Sequence, residues 1–148
     1  MFQTTSLNNY SQYLAFRLGI EEYGLPIANI NSIVDNDSPI TRVPTAPEHV
    51  LGIINLRGDI VPIIDLAKKL GFASVDNNNK KKVIIANSAD LFVGFLVDTV
   101  LDVINISGDS MEDSAPYTDS VTRDYFASVA KYDNRLIIIL DIEKLLKE

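Results

Sequence analysis

The chain contains no cysteine and no tryptophan, and His49 is the only histidine among its 148 residues. The absence of cysteine excludes a disulfide framework, a thiol nucleophile and zinc–thiolate sites. The histidine has no cysteine partner, and no local signature of a Ser-His-Asp triad accompanies it. The seven glycines are isolated, so no dinucleotide-binding or Walker-type phosphate loop occurs. These absences favour a binding function over catalysis.

Positive charge and long apolar runs are also scarce. The 13 Lys and Arg face 20 Asp and Glu, a formal net charge of −7, which argues against a nucleic-acid or anionic-membrane partner. The apolar runs are too short to span a bilayer, and residues 1–12 lack the basic and apolar regions of a signal peptide. With 47% hydrophobic and 22% charged residues, we expect one soluble, cytoplasmic domain over 1–148.

Period-2 alternation, β-branched runs and turn residues predict a chain made mainly of strands. The expected strands are 12–18, 22–27, 50–56, 59–65, 82–88, 91–100, 101–107, 125–133 and 135–141. Residues 28–34 fit a short strand or a helical turn equally well. Residues 35–47, 72–81 and 108–124 are expected to be loops, with a brief extended piece in the first of them.

Two parts of the chain share one pattern. "GIINLRGDIVPIIDLAKKL" (52–70) aligns with "SVAKYDNRLIIILDIEKLL" (128–146) as strand, tight turn, strand, capping aspartate and short helix. The alignment pairs the turn, the helix cap and the helix lysine: Arg57 with Asp133, Asp65 with Asp141, and Lys68 with Lys144. Residues 22–34 align in the same way with 92–104, which places Gly24 over Gly94.

The repeat predicts a mainly β fold of two five-stranded barrels with short helices, at about 12–75 and 80–148. Neither copy alone is large enough for a comfortable core, so the two barrels are expected to pack on each other. The alternative is one irregular sandwich whose hairpins look alike.

Two acidic patterns are candidates for a cation site. Residues 35–46 begin like a calcium loop, but Ile40 stands where the loop requires glycine and Ala46 where it requires glutamate. Four further carboxylates lie in one loop: Asp109, Glu112, Asp113 and Asp119. Scattered carboxylates are typical of a solvated face, since catalytic pairs stand on rigid elements. We therefore expect no catalytic residue, metal or cofactor, with a small hydrolase or a calcium-binding protein as the alternative.

The turn between residues 50–56 and 59–65 carries an arginine, Arg57. Turns usually hold small polar residues, and a solvated turn arginine is the simplest interpretation. A planar guanidinium flanked by exposed aliphatic residues is also a good anchor for a carboxylate at a protein–protein interface.

The segment "GIINLRGDIVPIIDL" (52–66) resembles the core motif of CheW-type coupling proteins. The motif positions are filled by Gly52, Asn55, Leu56, Arg57, Gly58, Pro62, Asp65 and Leu66. The likeness continues through 93–106 and 125–146, and it covers the chain from about residue 12 to the end. It implies a single CheW-like domain over 1–148, made of two intertwined, five-stranded, SH3-like barrels that pack around a shared core and have no chemistry of their own.

The resemblance also implies a function and partners. Members of this family bridge the cytoplasmic tip of a methyl-accepting chemoreceptor to the regulatory domain of a CheA-type histidine kinase, in arrays at the inner membrane face. A length of 148 residues is that expected of the stand-alone coupler, without the receiver domain of CheV-type proteins. The alternative is the same adaptor role in a type IV pilus (twitching) system.

Site residues are implied by position in the family. Receptor contact, in the groove between the barrels, maps to Ile30, Ser32, Arg57, Val83 and Val103. Kinase contact, at the barrel ends, maps to Gly52, Asp59, Ile60 and Gly94, where glycine is expected to let a partner backbone approach closely. The chain departs from the family pattern at two positions: Ser32 replaces a frequent glutamate, and Ser128 replaces a frequent glycine.

Overall fold

The computed structural model describes residues 10–37, 39–72, 81–88, 90–113 and 123–147. The strands are β1 (Tyr10–Leu18), β2 (Glu21–Pro26), β3 (Ile30–Asp35), β4 (Val50–Leu56), β5 (Asp59–Asp65), β6 (Lys82–Ser88), β7 (Leu91–Val97), β8 (Thr99–Ser107), β9 (Met111–Asp113), β10 (Phe126–Tyr132) and β11 (Arg135–Leu140). Two short helices, α1 (Leu66–Lys69) and α2 (Ile142–Leu146), follow β5 and β11. Single 3-10 turns occupy Ile27–Asn29, Gly108–Ser110 and Arg123–Tyr125.

Most predicted strands are present, and three of them, β4, β5 and β6, have the predicted bounds. Residues 28–34 contain both predicted alternatives, because a 3-10 turn leads directly into β3. The predicted strand 91–100 is wrong in its length, since a bend at Asp98 separates β7 from β8. The short strand β9 was not predicted. Most of the expected linker 72–81, and Asp119 of the acidic loop, lie outside the described residues.

The strands form two mixed sheets. Sheet 1 has the order β8-β1-β2-β11-β10-β9, and sheet 2 has the order β3-β6-β7-β5-β4. Each sheet contains one parallel pair at its centre, β2 with β11 and β5 with β7, while the other pairs are antiparallel. Neither sheet coincides with the expected barrels at 12–75 and 80–148. The strands β1 and β2 of the first copy lie in sheet 1, with the strands β8 to β11 of the second copy. In the same way, β6 and β7 of the second copy lie in sheet 2, with β3, β4 and β5 of the first.

This exchange gives the described part of the chain three apolar clusters. Side chains alternate between the faces of a strand, so each sheet has one face toward its own interior and one toward the other sheet. In β1, Leu14 and Phe16 belong to a cluster between the sheets, whereas Ala15 belongs to the interior of sheet 1. In β6, Ile84 lies in the cluster between the sheets and Ile85 in the interior of sheet 2. The cluster between the sheets is the shared core that the repeat predicted.

The internal repeat is confirmed in detail. Gly24 pairs with Ile139 across the parallel strands of sheet 1, and Gly94 pairs with Ile63 across those of sheet 2. A Cβ on Gly24 would lie 3.0 Å from Ile139 Cδ1, and one on Gly94 would lie 2.6 Å from Ile63 Cδ1. The two glycines therefore have the same structural role. Each leaves space for the isoleucine on the neighbouring strand to fill the interior of the sheet.

Both predicted helix caps are formed. Asp65 Oδ1 accepts a hydrogen bond of 3.3 Å from the backbone N–H of Lys68. Asp141 Oδ1 accepts from the N–H groups of Glu143 and Lys144, at 3.1 and 3.3 Å. These bonds satisfy backbone donors that the first turn of a helix leaves without a partner.

Replacing Asp141 with alanine is expected to lower the free energy of unfolding by about 1 kcal/mol, because α2 loses its cap. The helix buries Ile142, Leu145 and Leu146 against the core, so its end cannot fray without exposing them. Chemical denaturation followed by circular dichroism measures the change. Asp141→Asn, which keeps an oxygen acceptor, should remain close to the unmodified protein, and an equal loss in both variants would contradict the capping role.

None of the helices in the described ranges is both long and apolar enough to cross a bilayer.

Candidate interaction site

The β4–β5 tip, which we define as residues 55–60, contains a two-residue hairpin turn at Arg57 and Gly58. Arg57 and Gly58 have φ angles of +53° and +89°, and positive values at both central positions are the requirement of a type I′ turn. Asn55 Oδ1 accepts a hydrogen bond of 3.0 Å from the backbone N–H of Gly58. The asparagine and glycine of the motif thus build the turn, and the arginine is carried at its apex.

Arg57 occupies a conformation that is unfavourable for its residue type. A left-handed conformation costs a residue with a Cβ atom about 1–2 kcal/mol, and Asn or Asp tolerates it best. Asp133, at the equivalent turn of the repeat, has a φ of +54° and is such a residue. Arg57 is exposed, and within the described residues no hydrogen bond or ion pair holds its guanidinium. A strained, unengaged arginine indicates that the side chain serves something outside the turn.

Of the expected kinase contacts, Asp59 and Ile60 are on the surface. Ile60 lies beside the turn and is 61% exposed, which is high for an isoleucine within a strand. Ile60 lines a shallow depression beside the edge strand β4. The other lining residues are Pro39, Thr41, Ile53, Ile54 and Asn55. These side chains form a mixed apolar and polar surface that suits a protein partner.

The role expected for Gly52 is not what the structure shows. Gly52 is buried with a φ of +150°, and a Cβ built on it would lie 2.3 Å from the carbonyl oxygen of Thr41. Thr41 forms an isolated bridge with Ile53, with backbone hydrogen bonds of 2.9 and 2.8 Å. The backbone that approaches Gly52 closely is therefore the protein's own, and it covers this stretch of the β4 edge.

Gly94 and Val83 are also interior residues. Val83 is 3% exposed and lies in the interior of sheet 2. A Cβ on Gly94 would lie 2.9 Å from Val83 Cγ1, so the two positions pack against each other. Neither residue presents a side chain to a partner, and any effect of substituting them would act through the packing of sheet 2.

The remaining receptor candidates lie on the two edge strands β3 and β8. Ile30 is half-buried against the cluster between the sheets, as is Val100 at the equivalent position of β8. Val103 is opposite Leu14 of this cluster and is 51% exposed. Ile33, opposite Ile84 of the same cluster, is 42% exposed. We call Ile30, Ile33, Val100 and Val103 the edge hydrophobics.

Ile33 was missed in the sequence, although the repeat contains the signal that would have found it. Residues 22–34 align with 92–104, and in this alignment Ile33 lies over Val103. The structure gives the two residues the same register, each opposite a residue of the shared core. The edge hydrophobics therefore form a pseudo-symmetric set that extends the core between the sheets out to solvent.

Ser32 lies on β3 between these residues and is half-buried. Its hydroxyl donates a hydrogen bond of 3.2 Å to Asn31 Oδ1, a neighbour on the same strand. The register of β3 against β6 shifts between Ile30 and Ser32, so Ser32 belongs to a β-bulge.

One acidic residue of each candidate cation site forms an ion pair with a lysine. Asp35 forms an ion pair with Lys82, and Glu112 forms one with Lys131 at 2.6 Å. Among the described residues, no group of three or more histidine and carboxylate side chains is placed to hold a metal ion.

The fold and this site define a class: a double-sheet β protein that presents an arginine-tipped hairpin and a set of edge hydrophobics, as a protein-binding module does. Residues 12–148 match the CheW-like domain, and the chain belongs to this family. It is 38% identical to chemotaxis protein CheW of Thermotoga maritima over 137 residues, which cover 93% of this chain and 88% of that protein. It is 36% identical to chemotaxis protein CheW of Helicobacter pylori over 139 residues, which cover 93% of this chain and 82% of that one.

A solved structure agrees with the family assignment. The crystal structure of scaffolding protein TtCheW from Thermoanaerobacter tengcongensis superposes with a TM-score of 0.84 at 34% sequence identity. The match covers 93% of each chain. The mainly β fold that the sequence predicted is therefore shared with a solved member of the family.

Proposed function

We propose that this protein is a non-catalytic adaptor that couples the signalling tips of chemoreceptors to a CheA-type histidine kinase. Its relatives are chemotaxis proteins, and the similar solved structure is that of a scaffolding protein. The observation that carries the proposal is Arg57, which occupies a costly left-handed conformation at an exposed tip and has no partner within the described part of the chain. An adaptor needs such pre-positioned, unengaged groups because it acts by holding other proteins.

The receptor contact combines Arg57 with the edge hydrophobics. Strands β3, β5 and β7 run in the same direction, so the tip before β5 and Ile30 at the start of β3 lie at the same end of sheet 2. A receptor helix lays its apolar face against Ile30, Ile33 and Val103, and the guanidinium meets an acidic side chain of the helix. Ser32, between them, supplies a hydroxyl where a carboxylate is frequent in the family. Val83 lies in the interior of sheet 2 and acts indirectly, through the packing of that sheet.

The kinase contact uses the exposed part of the β4–β5 hairpin. Ile60 is its apolar centre, Asp59 is the charged group at its margin, and the depression beside β4 receives a side chain of the kinase regulatory domain. Gly52 and Gly94 act indirectly, since they set the shape of β4 and the packing of sheet 2. The adaptor is thereby held in receptor arrays at the inner membrane face through protein contacts.

Reconstitution with the cognate kinase and a receptor signalling fragment tests the proposal. Adding this protein is expected to make ATP turnover by the kinase depend on the receptor fragment, while kinase and fragment without it stay uncoupled. Unchanged turnover, together with no binding to either partner in a sedimentation assay, would contradict the adaptor role. In a deletion strain, loss of swimming bias assigns the protein to chemotaxis, and loss of surface spreading assigns it to pilus control.

A further inference from the structure

The edge strand β8 contains an irregularity directly before Val103. In its pairing with β1, Val100 is opposite Phe16 and Val103 is opposite Leu14. Leu101 and Asp102 therefore share the single position opposite Ala15, which is the arrangement of a β-bulge. A bulge bends its strand and re-aims the side chains next to it, so the conformation of Asp102 decides the direction in which Val103 points.

Asp102 forms an ion pair with a residue on a non-adjacent strand of sheet 1. Arg135 Nη1 and Nη2 donate to its two carboxylate oxygens at 3.1 and 3.0 Å, which is a bidentate pair. Arg135 begins β11, and β1 and β2 separate β11 from β8 in the order of sheet 1. The pair thus joins two strands that share no backbone hydrogen bonds, and it closes this end of sheet 1.

The guanidinium is itself fixed by further contacts. Its Nε donates to Glu22 Oε1 at 2.8 Å, and its centre lies 5.7 Å from the ring of Tyr132. The hydrogen bonds from Arg135 hold the pKa of Asp102 below its ordinary value of 3.8. The carboxylate is therefore ionised at neutral pH, and the pair is intact under the conditions in which the protein works.

Sheet 2 has the same bulge without the pair. By the repeat, Ser32 takes the place of Asp102, and Asp59 takes the place of Arg135. A hydroxyl and a carboxylate at these positions offer no charge pair, and Ser32 donates to its neighbour Asn31 instead. Of the two pseudo-equivalent bulges, only the one beside Val103 is pinned to a distant strand.

We infer that Arg135 is a positioning residue for receptor binding, which acts by fixing the β8 bulge through Asp102 and so aims Val103 at the receptor helix. This inference rests on the proposed function. It assigns a binding role to a residue that lies outside the tip and the edge hydrophobics. A bidentate ion pair at a bulge is suited to this task because two bonds fix the orientation of the carboxylate as well as its distance.

A double-mutant cycle tests the inference, with the affinity for a receptor signalling fragment as the readout. Val103→Ala should weaken binding because it removes apolar contact, and Asp102→Asn should weaken it about fivefold because the bulge is released. In the Val103→Ala background, Asp102→Asn should have no further effect, since the side chain that it aims is gone. Arg135→Gln should reproduce Asp102→Asn, and neither should alter affinity for the kinase regulatory domain.

Glu112→Gln is the matched control. Glu112 forms an ion pair with Lys131 in the same sheet, but it lies on the edge strand β9, at the other end of the strand order from β8, so this variant should keep its receptor affinity. Full additivity of Asp102→Asn and Val103→Ala, or wild-type affinity in Asp102→Asn, would overturn the inference and leave the proposed function standing. If Val103→Ala and Arg57→Glu both bind the fragment normally, the receptor surface itself is wrong, and the inference fails with it.

Discussion

Replacing Arg57 with glutamate is expected to weaken binding of a receptor signalling fragment by about thirtyfold or more, which corresponds to a hot-spot residue of about 2 kcal/mol. The expected loss is large because the substitution removes the cation at the apex of the tip and brings a carboxylate against the acidic group it was bound to. The fold should survive, since the side chain is exposed and the turn is built by Asn55 and Gly58. Isothermal titration calorimetry measures the affinity, and thermal unfolding checks the fold.

Arg57→Asn separates the charge from the backbone. Asparagine adopts the left-handed conformation more readily than arginine, so this variant should be at least as stable as the wild type while binding the receptor fragment weakly. Asp133→Asn, at the equivalent turn, should leave receptor affinity unchanged. If Arg57→Glu unfolds the protein, or if Arg57→Asn costs stability, the arginine is structural and its assigned role is incorrect.

Replacing Gly52 with alanine is expected to destabilise the protein by about 3 kcal/mol or more, which lowers Tm by roughly 10 °C for a domain of this size. Two effects add at this position. A φ of +150° is strained for any residue with a side chain, and the new Cβ would overlap the carbonyl oxygen and carbon of Thr41. The bridge between Thr41 and Ile53 has to open to relieve the overlap, and this opening exposes the edge of β4.

Gly19→Ala provides the control for Gly52→Ala. Gly19 also has a positive φ, +62°, but a Cβ there would meet nothing within 4 Å, so only the backbone strain of about 1 kcal/mol is expected. The difference between the two variants isolates the close approach of the 39–42 segment. Equal losses would show that the overlap is relieved at no cost. The kinase affinity of Gly52→Ala should fall as well, because the edge of β4 lines the depression beside Ile60.

The exchange of strands between the two copies explains why some of these substitutions affect distant residues and others affect only their surroundings. Each sheet is completed by strands from the other half of the chain, and the cluster between the sheets is built from both. A packing defect in sheet 2, such as one introduced by substituting Gly94, is therefore expected to affect strands from both halves of the chain. Substitutions at the exposed tip do not propagate in this way, because the tip contributes little to any cluster.

The sequence by itself determined the local structure of this protein. Strand bounds at β4, β5 and β6, the arginine-tipped turn, and the caps Asp65 and Asp141 all follow from interactions between residues close in the chain, which composition and periodicity record directly. The repeat also contained the equivalence of Gly24 with Gly94. The resemblance of residues 52–66 to the CheW motif pointed to the family.

Only the tertiary structure decided how the copies combine and which candidate residues are exposed. Strand exchange depends on long-range pairing. An alternating pattern does not specify which strand a given strand pairs with, because the same strand fits either sheet. Three further features depend equally on residues distant in the chain. They are the burial of Val83 and Gly94, the contact of Gly52 with the backbone of Thr41, and the ion pair between Arg135 and Asp102. Residue type shows that a side chain can bind a partner, and the packing of distant strands decides whether a partner can reach it.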